Sequence, residues 1–363
     1  MRLLRPPAVL ALLLTGTLAA GCTVLAEEAG RTPEPSGSSG PTPTRVVLVT
    51  HESFALPERL VADFEERSGL ELVVRAAGDA GTLTNKLVLT RDNPTGDVAF
   101  GVDNTFASRA LDNGVFATSE VALPAGAEEF ALAEGAGRLA PIDVAHVCLN
   151  IDTTWFAREG EPEPETLDDL VDPAYRDLLV LPGAATSSPG MAFLLTTIAA
   201  YGEGWPDYWA RLMANGAKLT AGWSDAYYVD FTQGGSDGTR PIVLSYDSSP
   251  AFTVPEGAAR GRATSTTRAL LDTCFRQVEY AGVLAGAENP AGGAELVEFL
   301  LSEEVQAALP DSMYVFPVRD GVRLPRAWAR FAVQPEDPYE VDPAEIAEQR
   351  DAWLEEWTEV TTR

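Results

Sequence analysis

From Arg45 onward, short apolar runs alternate with segments of helical period, and this alternation limits the chain to a small set of folds. Residues 46–50 form an apolar strand, and Pro57 then opens a helix with Leu60, Val61 and Phe64 on one face, closed by Gly69. A second strand follows at 70–75, a helix at 82–91 with Leu83 and Leu87 inward, and a third strand at 97–102. Such a βαβαβ series predicts an α/β fold on a mostly parallel, doubly wound sheet. The pattern continues with strands at 141–151, 178–181 and 242–244, and helices at 167–171, 191–201 and 206–213. Beyond them lie a strand around 274–280, one amphipathic helix over 293–309 and an aromatic loop at 312–318. The last helix has Asp342 as N-cap, Pro343 at its first position and Glu345 at its third, with Trp353 and Trp357 to dock it.

The segment before Arg45 has a different character. Arg2 and Arg5 precede an apolar run at 8–18, and Leu18-Ala19-Ala20-Gly21-Cys22 ends it. This reads as an export signal over 1–22 with a lipobox, cleaved so that Cys22 is lipidated. The run is shorter than the roughly 20 residues that a spanning helix needs. Residues 23–44 hold Pro33, Pro35, Pro41 and Pro43 among small and polar residues, and read as a disordered tether with a span of roughly 25 Å. A lipid-anchored protein of the cell envelope is expected, on the outer face of the cytoplasmic membrane or in the periplasm. About 320 residues remain for the folded part, more than one core usually serves, so two domains are expected.

A formal charge of −28 argues against nucleic acid as partner, because phosphate backbones demand basic patches. Apart from Cys22 only Cys148 and Cys274 occur, and in an exported protein an even pair invites a disulfide, the alternative being two buried thiols. The chain has no His-Glu-x-x-His, no Cys-x-x-Cys and no phosphate-cradling Gly-Lys-Ser/Thr loop. Only His51 and His146 could serve as histidine bases. Capture of a solute, without catalysis, cofactor or metal, is therefore expected of a monomer.

The stretch from Gly222 to Phe252 is the most informative for a ligand. Trp223, Tyr227 and Tyr228 precede a Gly-rich turn, and the strand at 242–244 then opens into Ser245-Tyr246-Asp247-Ser248-Ser249-Pro250-Ala251-Phe252. Ligands of open α/β sheets bind where strands end at their carboxyl termini. Aromatic faces beside carboxylates suit a flat organic cation. Thr186-Ser187-Ser188-Pro189-Gly190, before a helix, offers hydroxyl caps and backbone N–H groups that could also meet an anion.

Taken in order, these strings resemble a known family. The likeness runs from about residue 46 to 357 through Glu52-Ser53-Phe54, Gly101-Val102-Asp103-Asn104, Thr186-Ser187-Ser188-Pro189-Gly190 and Gly222-Trp223-Ser224-Asp225-Ala226-Tyr227. Val243-Leu244-Ser245-Tyr246, Ser249-Pro250-Ala251-Phe252, Phe316-Pro317-Val318, Pro343-Ala344-Glu345 and Gln349-Arg350-x-Ala352-Trp353 extend it. The chain resembles the thiamine-binding proteins of ABC importers, within the two-lobed periplasmic-type (type II) binding proteins. The resemblance implies two α/β lobes joined by crossover strands and closing on thiamine or its phosphates, with delivery to an ABC importer permease. It implies lobe one at 45–146 with 276–325 and lobe two at 147–275 with 326–363, the strands of Cys148 and Cys274 being the crossovers. Carried over by position, the ligand residues are His51, Asp103, Asn104, Ser187, Ser188, Trp223, Tyr246, Ser249, Phe252 and Tyr314. His51 stands where the family pattern has Tyr, Phe252 replaces another Tyr, and Tyr314 replaces Trp. A neutral His51 can stack on a thiazolium, whereas a protonated one repels it, so capture should weaken below about pH 6.

Two other ligand classes fit the same fold. A ferric-ion carrier would use the neighbouring Tyr227 and Tyr228 with His51 or Glu52, hard oxygen ligands suiting Fe³⁺. A binder of another small cationic or phosphorylated solute would use the same cleft.

Overall fold

A computed structural model describes residues 44–255 and 264–363. The expected signal, Cys22 and nearly all of the tether lie outside the described residues. Among the described residues, no helix is long and apolar enough to cross a membrane.

One twisted sheet runs through the molecule. Its strands are β1 (Arg45–Thr50), β2 (Glu71–Ala76), β3 (Val98–Asp103), β4 (Ala140–Asp152), β5 (Leu179–Pro182), β6 (Lys218–Thr220), β7 (Ile242–Tyr246), β8 (Thr267–Val283) and β9 (Phe316–Pro317). The order is β2-β1-β3-β8-β4-β7-β5-β6, with β9 beside β4. Pairing is parallel within β2-β1-β3 and within β7-β5-β6, and antiparallel wherever β4 or β8 takes part. The sheet is thus two parallel halves joined by two long antiparallel strands. β1 and β3 are apolar and buried almost throughout, as expected of strands covered on both faces.

Helices α1 (Glu58–Ser68), α2 (Ala80–Leu89), α3 (Ala107–Asp112) and α4 (Thr153–Glu159) precede α5 (Ser188–Tyr201) and α6 (Trp205–Ala214). They are followed by α7 (Pro290–Leu300), α8 (Glu303–Gln306), α9 (Leu309–Met313), α10 (Trp328–Phe331) and α11 (Pro343–Thr361). The amphipathic run at 293–309 is not one helix. It ends at Leu300, and Ser302 restarts it by capping α8, its Oγ accepting from Val305 N at 3.4 Å. The strand around 274–280 is far longer than its apolar core suggests, because bulges at 271–274 and near Gly101 keep β8 in register with β4 and β3. At the first of these, the sulfurs of Cys148 (β4) and Cys274 (β8) are bonded, 1.98 Å apart, so a disulfide staples the two long strands together. The last helix starts as its cap predicts, Asp342 Oδ1 accepting from Ala344 N at 2.8 Å. It lies over both sheet halves: the Trp357 ring meets Trp209 edge-on at 5.6 Å, and the Arg350 guanidinium covers the Phe106 ring at 4.4 Å.

Candidate functional site

Every parallel strand delivers a polar or aromatic residue at its carboxyl end. β1 leads to His51, β2 to Asp79 and β3 ends in Asp103; on the other half β5 leads to Ser188, β6 to Trp223 and β7 ends in Tyr246. The two sets face each other across a cavity of about 340 Å³, which β8 floors with Gln277 and Glu279 and the α9–β9 turn closes with Tyr314. That volume is in the range of small-molecule sites. A wider depression of about 630 Å³ beside Thr153, Arg268 and Phe331 holds none of the site residues expected from the sequence.

Close approach of the two halves depends on small residues and one carboxylate. Asp79 caps α2, its Oδ1 accepting from Ala80 N at 2.6 Å, and its Oδ2 takes Trp223 N from the other half at 2.8 Å. Ser188 N reaches Oδ1 at 3.4 Å, and Thr82 N donates to Thr186 O at 3.0 Å. Gly81 makes the second contact possible: a Cβ there would stand 2.7 Å from the Thr186 carbonyl carbon. Burial pushes the Asp79 carboxyl up, against the two backbone N–H groups that hold it down.

The aromatic wall centres on Trp223. Its indole Nε1 donates to Ser245 Oγ at 3.1 Å, Tyr227 stacks on it at 5.0 Å, and Tyr246 tilts against it at 5.9 Å. Tyr314 packs against this cluster and lines the same cavity; it is one of two non-glycine residues in the left-handed region (φ 65°) among those described, its carbonyl held by Ser248 Oγ. Phe252 packs against the Tyr314 ring at 3.8 Å between centroids and presents its own edge to Trp328.

His51 sits on Gly101, where a Cβ would come 2.1 Å from its Cδ2, so the glycine at φ 96° opens the space for the ring. Ser53 N donates to Nδ1 at 3.2 Å, which leaves the ring proton on Nε2, 3.4 Å from Glu279 Oε1. Burial works most strongly against the imidazolium, but the carboxylates of Glu279, Asp79 and Glu52 together outweigh it, and the His51 pKa rises above 6.5. Behind Glu279 lies Asp143, pushed well up by burial and by Glu279 itself. Asp103 follows, raised to about 7 by burial although the Ser188 and Thr105 hydroxyls bond to it.

The structure brings His51, Ser188, Trp223, Tyr246 and Tyr314 to the cleft, and the other five expected ligand residues to its supporting wall. Asp103 is fully buried, with its oxygens taken by hydroxyls. Asn104 spends its amide on β8, donating to Arg276 O at 3.0 Å and accepting from Val278 N at 2.9 Å. Ser187 caps α5, Ser249 accepts from Tyr246 N at 3.2 Å, and Phe252 backs Tyr314. Of the tyrosine pair, Tyr228 lines the cleft beside Glu52, while Tyr227 is packed between Trp223 and Phe231. The two rings meet edge to face at 5.3 Å, Tyr227 buried and Tyr228 exposed, and among the described residues no group of three or more His, Cys, Asp or Glu could hold a metal ion.

Sequence reasoning missed Asp79, Gln277 and Glu279. An Asp directly after β2 and before a helix was a legible cap signal. Gln277 and Glu279, two apart in β8, share one face by strand period.

Residues 93–340 match the model of a family described as bacterial extracellular solute-binding protein. The chain is 30% identical over 322 residues to the thiamine-binding periplasmic protein of Escherichia coli (strain K12), covering 88% of this chain and 94% of that one. It is similar to the solved structure of a periplasmic thiamin binding protein, with a TM-score of 0.75, 28% identity, and coverage of 92% of this chain and 100% of the other. Iron-bound HitA from Pseudomonas aeruginosa shares the fold, with a TM-score of 0.67 at 20% identity over 88% of this chain and 99% of that one.

Proposed function

The chain belongs to the bacterial extracellular solute-binding protein family, and on that premise we propose that its cleft captures thiamine, or a thiamine phosphate, for delivery to an ABC importer permease. The observation that carries this reading is the cleft itself: Trp223, Tyr246 and Tyr314 line one gap together with Glu279, Asp79 and Glu52. A thiazolium gains ~0.5–2 kcal/mol from each aromatic face, more when dry, and the carboxylates complement its charge. His51 Nε2, buried beside Glu279 at 3.4 Å but without a hydrogen-bond partner, is a donor for the polar edge of the ligand.

In this reading lobe one comprises 45–146 with 276–325, and lobe two 147–275 with 326–363, the last helix touching both. β4 and β8 are the crossovers about which the lobes close. Asp79, taking N–H groups from Trp223 and Ser188, latches the closed form. The protein works as a monomer without catalysis, anchored through lipidated Cys22 at the outer face of the cytoplasmic membrane or in the periplasm.

Thermal unfolding with thiamine and with ferric citrate tests the reading. Stabilisation follows RT ln(1 + [L]/Kd), so thiamine at a hundred-fold excess over Kd adds ~2.7 kcal/mol. A ferric-tyrosinate colour with no response to thiamine would overturn the assignment.

A further inference from the structure

Building on the reading of two lobes that close on thiamine, we propose that the Cys148–Cys274 disulfide governs that closure from outside the cleft: it replaces a missing rung between the crossover strands and so fixes the axis on which the lobes turn. β3 pairs with β8 from Glu279 onward, and β7 pairs with β4 from Val147 onward, opposite Phe275. Val144, Ala145 and His146 on β4, opposite Val278, Gln277 and Arg276 on β8, therefore bridge the two half-sheets. Lobe one grips this span through Asn104, whose amide donates to Arg276 O and accepts from Val278 N. Lobe two grips it through Asp247, whose Oδ2 meets His146 Nδ1 at 2.8 Å.

At the lobe-two end of the span the ladder breaks. β4 and β8 are in register at Val147 with Phe275 and again at Leu149 with Leu270, so residues 271–274 stand opposite Cys148 alone. A bulge of this kind interrupts the ladder and bends the strand. Thr273 restores part of the loss, its Oγ1 accepting from Leu149 N at 3.1 Å and donating to Leu270 O at 2.7 Å. The remaining tie is the disulfide, whose two cysteines are fully buried. Closure is read out at contacts of little tolerance between the halves: Trp223 N to Asp79 Oδ2 at 2.8 Å, Thr82 N to Thr186 O at 3.0 Å, and Ser53 Oγ with Ser224 Oγ at 3.3 Å. A slide of β4 past β8 at the broken rung would misalign all three together. A staple that removes the slide narrows the range of open forms, so less freedom is lost on closing and affinity rises without a new contact to the ligand.

Titration with thiamine, well below both melting temperatures, compares the disulfide-intact protein with the double variant Cys148→Ala, Cys274→Ala. The variant should bind roughly fivefold weaker or more, the size of a coupling between separate sites, although neither cysteine lines the cleft. In the ligand-free variant, amide exchange should rise at residues 144–146 and 276–278 and not in β1, a local change that lowered global stability would not give. Equal thiamine affinity of the two proteins overturns the proposal and leaves thiamine capture standing. If the intact protein does not bind thiamine, the thiamine reading fails, and unchanged exchange at the span then overturns the hinge role as well. Should the variant not fold, wild-type protein reduced by dithiothreitol replaces it: two electrons and two protons pass to the sulfurs as the dithiol closes to its cyclic disulfide. Loss of folding in both would make the staple a requirement of stability alone and overturn the proposal.

Discussion

His51 carries the largest chemical consequence of any single position. Its pKa is raised, and so are those of Asp79, Asp103 and Asp143. Acidification therefore adds positive charge to the imidazole and removes negative charge from the carboxyls, and both changes disfavour a bound cation. Thiamine affinity should fall steadily from pH 8 to 5.5; an unchanged Kd would contradict the account. For the free protein the sign is reversed. The acids titrate near 3.8 when unfolded and higher when folded, Asp103 at about 7, so the folded state binds more protons in that window. His51 acts likewise, its contribution being full below 6.5 and lost as pH rises through its folded value. The ligand-free melting temperature should thus be higher at pH 5.5 than at pH 8. Among the aromatic residues, Tyr314→Leu should weaken capture by roughly 2- to 30-fold, the loss of one cation–π face. Phe252→Leu should cost less, because that ring touches Tyr314 rather than the cavity. That Trp223, Tyr246 and Tyr314 line one cavity was legible because their strings are distinctive. Asp103 and Asn104 were misplaced because a carboxylate at a strand's carboxyl end looks the same in sequence whether it faces a ligand or, as here, a neighbouring hydroxyl.

At the scale of elements, β4 and β8 decide the architecture. The strands of both parallel halves except β6 were readable from local periodicity, but the antiparallel joining of the halves was not, since pairing between strands more than a hundred residues apart leaves no local mark. The length of β8 was hidden by its bulge, which interrupts the alternation at 271–274. The break between α7 and α8 was missed because the apolar period carries through Leu301 while Ser302, a helix N-cap, interrupts the backbone. The disulfide clips these two crossovers across a sequence separation of 126 residues. Its reduction should lower the stability of the ligand-free protein by about 2–4 kcal/mol. Urea unfolding with and without reductant measures this, and superimposable curves, after alkylation has verified reduction, would show the staple to be energetically idle.

At the scale of the molecule, the sheet works as two half-sheets meeting face to face at the carboxyl ends of their strands, with the ligand gap where the connections converge. Each half contributes residues that are unremarkable alone; only apposition turns Asp79, Trp223 and Tyr314 into one surface. The central claim is that this apposed surface holds an organic cation. A crystal structure of the protein grown with thiamine tests it most directly. The account predicts density for one thiamine in the gap, its thiazolium against the Tyr314 ring and its pyrimidine between Trp223 and His51. Density for the compound anywhere else, or an empty gap at saturating thiamine, would contradict it.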